Sequence, residues 1–81
     1  MTKYQFLFHN TLGAIQLKKQ LLAQHIPFKM MDAPRELTSS CGLSIRLCWA
    51  HNIESFIVPE QTQTIYIWDE SHYQLYWQDN T

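Results

Sequence analysis

A single helical stripe, set in a chain whose other apolar residues step in twos, limits the fold more than any other feature. Ala14, Leu17, Leu21 and His25 line the stripe, Ile15 and Leu22 widen it, and Gln16, Gln20, Ala23 and Gln24 fall opposite. The spacing predicts a helix from about Leu12 to His25, capped by Asn10 or Thr11. Ile26-Pro27 ends it, because proline drives the preceding residue out of helical geometry. Gly13 in the first turn costs about 1 kcal/mol relative to alanine, so a close backbone approach is expected there. Lys18 is expected on the buried side as a snorkelling lysine at the stripe's edge. The alternative brings its ammonium toward Cys41.

Around this helix the chain reads as strands. Tyr4, Phe6 and Phe8 alternate with Gln5 and Leu7, and the apolar Leu7 marks a central strand covered on one face and partly on the other. Phe28 to Met31 is a short second strand, closed by Asp32-Ala33-Pro34. Leu43 to Trp49 is a third, with Leu43, Ile45 and Leu47 inward and Ser44, Arg46 and Cys48 on the other face. Ile53, Phe56 and Ile57 allow a short second helix within Ala50 to Val58, with Asn52 as cap and Pro59 as stop. Thr62 to Trp68 and His72 to Trp77 form a closing hairpin across Asp69-Glu70-Ser71. The order β-α-β-β-α-β is that of a ferredoxin-like split β-α-β sandwich, an α+β fold, here with an extra C-terminal strand. Helices would cover one sheet face, leaving the other to solvent or to a second subunit.

With 81 residues there is room for one domain spanning 1–81. A net charge of −1 supplies no general attraction for nucleic acid or an anionic membrane. Apolar runs are too short to span a bilayer, and Met-Thr-Lys-Tyr-Gln has no apolar region of a secretory signal. Two cysteines are too few for a disulfide framework, so reduced thiols and a cytoplasmic location are expected. No cofactor is expected. The four histidines, His9, His25, His51 and His72, sit on separate elements without metal-ligand spacing.

Pro34 to Arg46 carries the chemistry-bearing residues. Cys41 stands in a polar turn beside Gly42, where a thiol can ionise and react. Backbone N–H groups around Gly42 and the hydroxyls of Ser39 and Ser40 are candidate anion partners, and Arg35 a candidate cation, unless it pairs with Glu36. His9, at the end of the first strand, is a candidate base for Cys41 if that end lies near the start of the third strand. The competing readings are a small, partly buried Cys41 without reactivity, a solvated Arg35–Glu36 turn pair, serines that only form the turn, and a His9 that bonds local backbone at the helix entry. Cys48 lies too far along an extended strand for a disulfide with Cys41 and is read as structural, facing the sheet.

Phe8-His9-Asn10-Thr11, the helix with Ala14, Ile26-Pro27-Phe28-Lys29 and above all Pro34-Arg35-Glu36-Leu37-Thr38-Ser39-Ser40-Cys41-Gly42 resemble the selenium/sulfur carrier protein-like family of small bacterial domains. The likeness covers about residues 4 to 47. It implies a cytoplasmic domain whose Cys41 holds sulfur or selenium for relay from a protein donor to a protein acceptor. The chain departs from the family pattern in Lys18, where an acidic residue is expected, in its truncated second helix and in its longer aromatic hairpin. Cys48 is outside the family motif.

Tyr66, Trp68, Tyr73, Tyr76 and Trp77 crowd the C-terminal hairpin. Ile65 and Ile67 point one way, Tyr66 and Trp68 the other, onto the face that helices leave open. Homodimer packing or docking on a sulfurtransferase partner is expected there, or simple extension of a small core. Nucleic acid is not expected, since residues 47–81 contain no Lys or Arg to accompany the rings. Three readings of function remain. The first is a sulfur or selenium carrier with Cys41 as its covalent site. The second is an interaction module with an inert Cys41. The third, a thiol enzyme with its own substrate, has no evident nucleophile–base–acid set.

Overall fold

A computed structural model describes residues 1–37, 42–70 and 72–79. Strands β1 (Thr2–Phe8), β2 (Phe28–Asp32), β3 (Leu43–Trp49), β4 (Thr62–Asp69) and β5 (His72–Gln78) form one sheet in the order β2-β3-β1-β4-β5. Every neighbouring pair is antiparallel. Helix α1 (Thr11–Ala23) follows β1, giving an α+β fold of one helix on a five-stranded sheet. The second helix expected between Ala50 and Val58 is a single 3-10 turn, Ile53–Phe56. Asn52 caps it as expected, its side chain accepting from Glu54 N. The apolar run is too short for an α-helix between this cap and Pro59.

Register sets the two faces. Tyr4 pairs with Leu47 and Ile67, and Phe6 with Ile45 and Ile65, so these side chains share one face. On it Leu17 and Leu21 of α1, Ile26, Ile53 and Phe56 complete a buried core, with Trp49, Trp77, Phe28 and Met30 packed against it. The central position of β1 agrees with the sequence reading. Its other face is more buried than expected, since Gln5 and Ser44 are fully buried and Leu7 nearly so.

Asn10 is the N-cap of α1, its side-chain oxygen accepting from Gly13 N at 3.2 Å. Gly13 explains itself. A Cβ there would stand 2.7 Å from Gln61 Cβ and 3.1 Å from Phe8 Cδ1. The helix buries Gly13, Ala14, Leu17 and Leu21 only. Ile15 and Leu22, expected to widen the stripe, are exposed, as are Leu12 and Lys18. The helix meets the sheet along one narrow line, so residues about 100° around its axis from that line reach water.

His25 is likewise exposed and ends the helix rather than lining it. It adopts φ 58°, donates to Leu22 O at 3.2 Å, and Ile26 N donates to Leu21 O at 2.9 Å. This is a Schellman closure with histidine where glycine is usual. Because an L side chain is strained in that conformation, His25→Gly is expected to stabilise the fold by about 0.5–1 kcal/mol. A rise in the urea midpoint without a change in slope would register it.

Candidate functional site: a hairpin loop and an open sheet face

The segment from Ala33 to Gly42 joins two neighbouring antiparallel strands. Asp32 pairs with Leu43, and beyond that pair Ala33 N donates to Gly42 O at 2.8 Å, closing the base of the loop. Leu37 N donates to Pro34 O at 3.0 Å, folding the entering arm into a turn. Arg35 and Glu36 are exposed and form no ion pair among the described residues, so the pairing considered for them is not made there. Gly42 is exposed, and an added Cβ would meet nothing within 4 Å. Its place is therefore not set by steric need. Ser39, Ser40 and Cys41 lie outside the described residues.

The pairing of Leu7 with Ser44 sets the end of β1 beside the start of β3, so His9 stands at that end of the sheet. Its ring, however, is engaged elsewhere. His9 Nε2 lies 2.9 Å from Asp79 Oδ2, a residue just beyond β5. That partner is 70 residues away in sequence and no local pattern signals it. Lys18, exposed on α1, has no described hydrogen bond or ion pair with Arg35, Gly42 or His9. Among the described residues no three His, Cys, Asp or Glu converge as a metal site, and no helix is long and apolar enough to cross a membrane.

The second candidate is the sheet face opposite α1. Here Gln5 is fully buried with both ends of its amide bonded: Nε2 donates to Ser44 Oγ, and Oε1 accepts from Arg46 Nε at 2.6 Å. Ser44 Oγ in turn donates to Phe6 O at 2.6 Å. Arg46 reaches across β1, donating from Nη2 to Tyr73 Oη at 2.9 Å. Its Cζ lies 3.8 Å from the centroid of the Trp68 ring, and Lys3 Nζ lies 4.9 Å from the same ring. Tyr66 and Tyr73 meet edge to face at 6.3 Å.

Tyr66 and Trp68 thus point away from Ile65 and Ile67, as alternation predicts. Tyr76 and Trp77 do not join them. Tyr76 packs edge to face on Tyr4 at 5.6 Å, and Trp77 pairs with Ile65 against the core. A register shift between Ile65 and Tyr66 on the β4–β5 ladder reverses the phase of the last strand. Cys48 shares the open face but is exposed rather than packed, across from Lys3. It borders a shallow recess with Met1, Pro27, Phe28, Lys29, Arg46 and Leu47. Residues 47–81 supply no Lys or Arg to the rings, but pairing brings Lys3 and Arg46 to them from β1 and β3.

The family model described as "Putative Se/S carrier protein-like" matches residues 3–66, which include the whole hairpin loop. A protein of Escherichia coli (strain K12), "Uncharacterized protein YtiA", is 40% identical over 67 residues, 82% of this chain and 79% of the relative. No solved structure matches.

Proposed function

Because the chain belongs to the Se/S carrier protein-like family, we propose that it relays sulfur or selenium, with Cys41 as the atom-bearing residue. The observation that carries this reading is the family match over residues 3–66, a span that includes Cys41. The Ala33–Gly42 closure supports it by fixing both arms of that loop to the sheet. In the sulfur reaction the Cys41 thiolate attacks the terminal sulfur of a donor persulfide. The donor's S–S bond breaks, the donor leaves as a thiolate, and Cys41 becomes the persulfide. No external oxidant enters. Transfer to an acceptor protein is the same exchange in reverse, and the selenium version replaces one chalcogen by the other. Arg35, on the entering arm, and the hydroxyls of Ser39 and Ser40 are the groups assigned to favour the thiolate. His9 is assigned to the proton, with Asp79 orienting its ring. The strand order agrees with a split β-α-β sandwich of the ferredoxin-like kind, and the site of action assigned is the cytoplasm.

Intact-mass measurement tests the reading. After incubation with a cysteine desulfurase and cysteine, the protein is expected to gain one sulfur atom, roughly 32 Da, reversed by a thiol reductant. Cys41→Ser abolishes the gain, and Cys48→Ser leaves it intact. Uptake that instead follows Cys48 would move the site to the sheet. No uptake by either cysteine favours the interaction module, which the Arg46–Trp68 surface independently supports.

A further inference from the structure

The open face carries a guanidinium, that of Arg46. Arg46 is half-buried and held by Gln5, Tyr73 and the Trp68 ring, yet it has no carboxylate partner among the described residues. Lys29 stands directly opposite it in the β2–β3 register, and Lys3 lies one strand further on. No Asp or Glu occupies a strand position on this face among the described residues; Asp69 and Glu70 stand at the hairpin rim. Holding three cations together on a molecule of net charge −1 is unfavourable unless an anion is to be met there.

The rings and the cations are rooted on different strands, and Arg46 and Lys3 reach over to the Trp68 ring. Lys29, Arg46 and Lys3 are rooted on β2, β3 and β1, whereas Tyr66, Trp68 and Tyr73 are rooted on β4 and β5. We propose that this face binds single-stranded nucleic acid, phosphates over Lys29, Arg46 and Lys3 and bases against the shelf of Tyr66, Trp68 and Tyr73. A nucleic acid strand presents a charged edge and a flat apolar edge in one polymer, and this face presents the complement of both. The Arg46 guanidinium, its Cζ 3.8 Å from the Trp68 centroid, is itself a group on which a base stacks. A second copy of this chain is a poor occupant, because its same face offers the cations no carboxylate at a strand position among the described residues. An acidic protein surface would answer the cations but leaves the half-buried rings without a planar partner. The inference stands apart from the carrier role, and its test reads no sulfur.

Fluorescence anisotropy of the full chain with labelled single strands of roughly twelve nucleotides, oligo(U) and oligo(dT), tests it. A duplex of equal length and a labelled glutamate-rich peptide serve as comparisons. The single strands are expected to bind, with log affinity falling against log salt at a slope of about −2 for three contacted phosphates. Lys29→Gln, at an exposed position, is expected to flatten the slope by about 0.7. Tyr66→Ala is expected to weaken binding about ten-fold with the slope unchanged. Thermal melting of each variant separates lost binding from lost folding. The proposal is overturned if single strands fail to bind at low salt, or if the duplex binds as tightly. It is equally overturned if the acidic peptide binds as tightly as the strands, which would assign the face to an acidic protein.

Discussion

Truncating Phe6 to alanine is expected to cost about 3–5 kcal/mol of stability. Phe6 is fully buried on the central strand, between Ile45 of β3 and Ile65 of β4, with the Phe8 ring stacked at 6.3 Å. Strands on both sides and α1 above are fixed by hydrogen bonds and turns, so the vacated space cannot readily collapse. A domain of this size is stable by about 4–12 kcal/mol in all, so the loss is a large part of the whole. Urea unfolding monitored by circular dichroism measures it. Phe6→Leu, which keeps most of the volume, is expected to cost about 1 kcal/mol. A Phe6→Ala loss as small as that of Phe6→Leu would show that β1 is not the packing centre described.

Gly13→Ala is expected to destabilise by about 1–3 kcal/mol, against the sign that helix propensity alone gives. The new methyl would press on Gln61 Cβ at 2.7 Å and on Gln61 O at 3.3 Å. Neither atom is the tip of a flexible side chain. Gln61 is pinned by His9 N donating to its carbonyl at 2.8 Å and by its own N–H donating to Val58 O at 3.0 Å. Relief would require α1 to lift from the start of β4. Gly42→Ala is the matched control, since its Cβ would enter open space, and a change within about 0.5 kcal/mol is expected. Melting temperatures of the two variants suffice. A stabilised Gly13→Ala would mean that the helix and the β4 entry stand further apart than described.

What the sequence disclosed follows from the range of the interactions involved. Period-two alternation in Tyr4–Phe8 and Thr62–Trp68, and the Ala14-Leu17-Leu21 spacing, report local geometry and identify β1, β4 and α1 without tertiary knowledge. The Asn10 cap and the Gly13 approach were legible for the same reason. The phase of β5 was not, because a bulge inserts one residue and sends Trp77 to the core side, which no alternation within the strand can reveal. Ile15 and Leu22 looked buried because a stripe's width depends on what covers it. The Arg46–Trp68 stack and the His9–Asp79 contact join residues far apart in sequence, and their chemistry becomes visible only when pairing supplies the neighbours. In the loop, the sequence offered residue types and the structure the anchoring of its arms; the reactivity of Cys41 belongs to experiment.

The central place of β1 bears on how the chain comes to be folded at the ribosome. β1 is made before both of its neighbours, which come from residues 44–49 and 62–67, so it stays unpaired and rich in aromatic side chains until the first of these is made, and half-paired until the second follows. Nascent chains released early would expose that segment to one another, and association of incomplete products is the failure to which this connectivity is most prone.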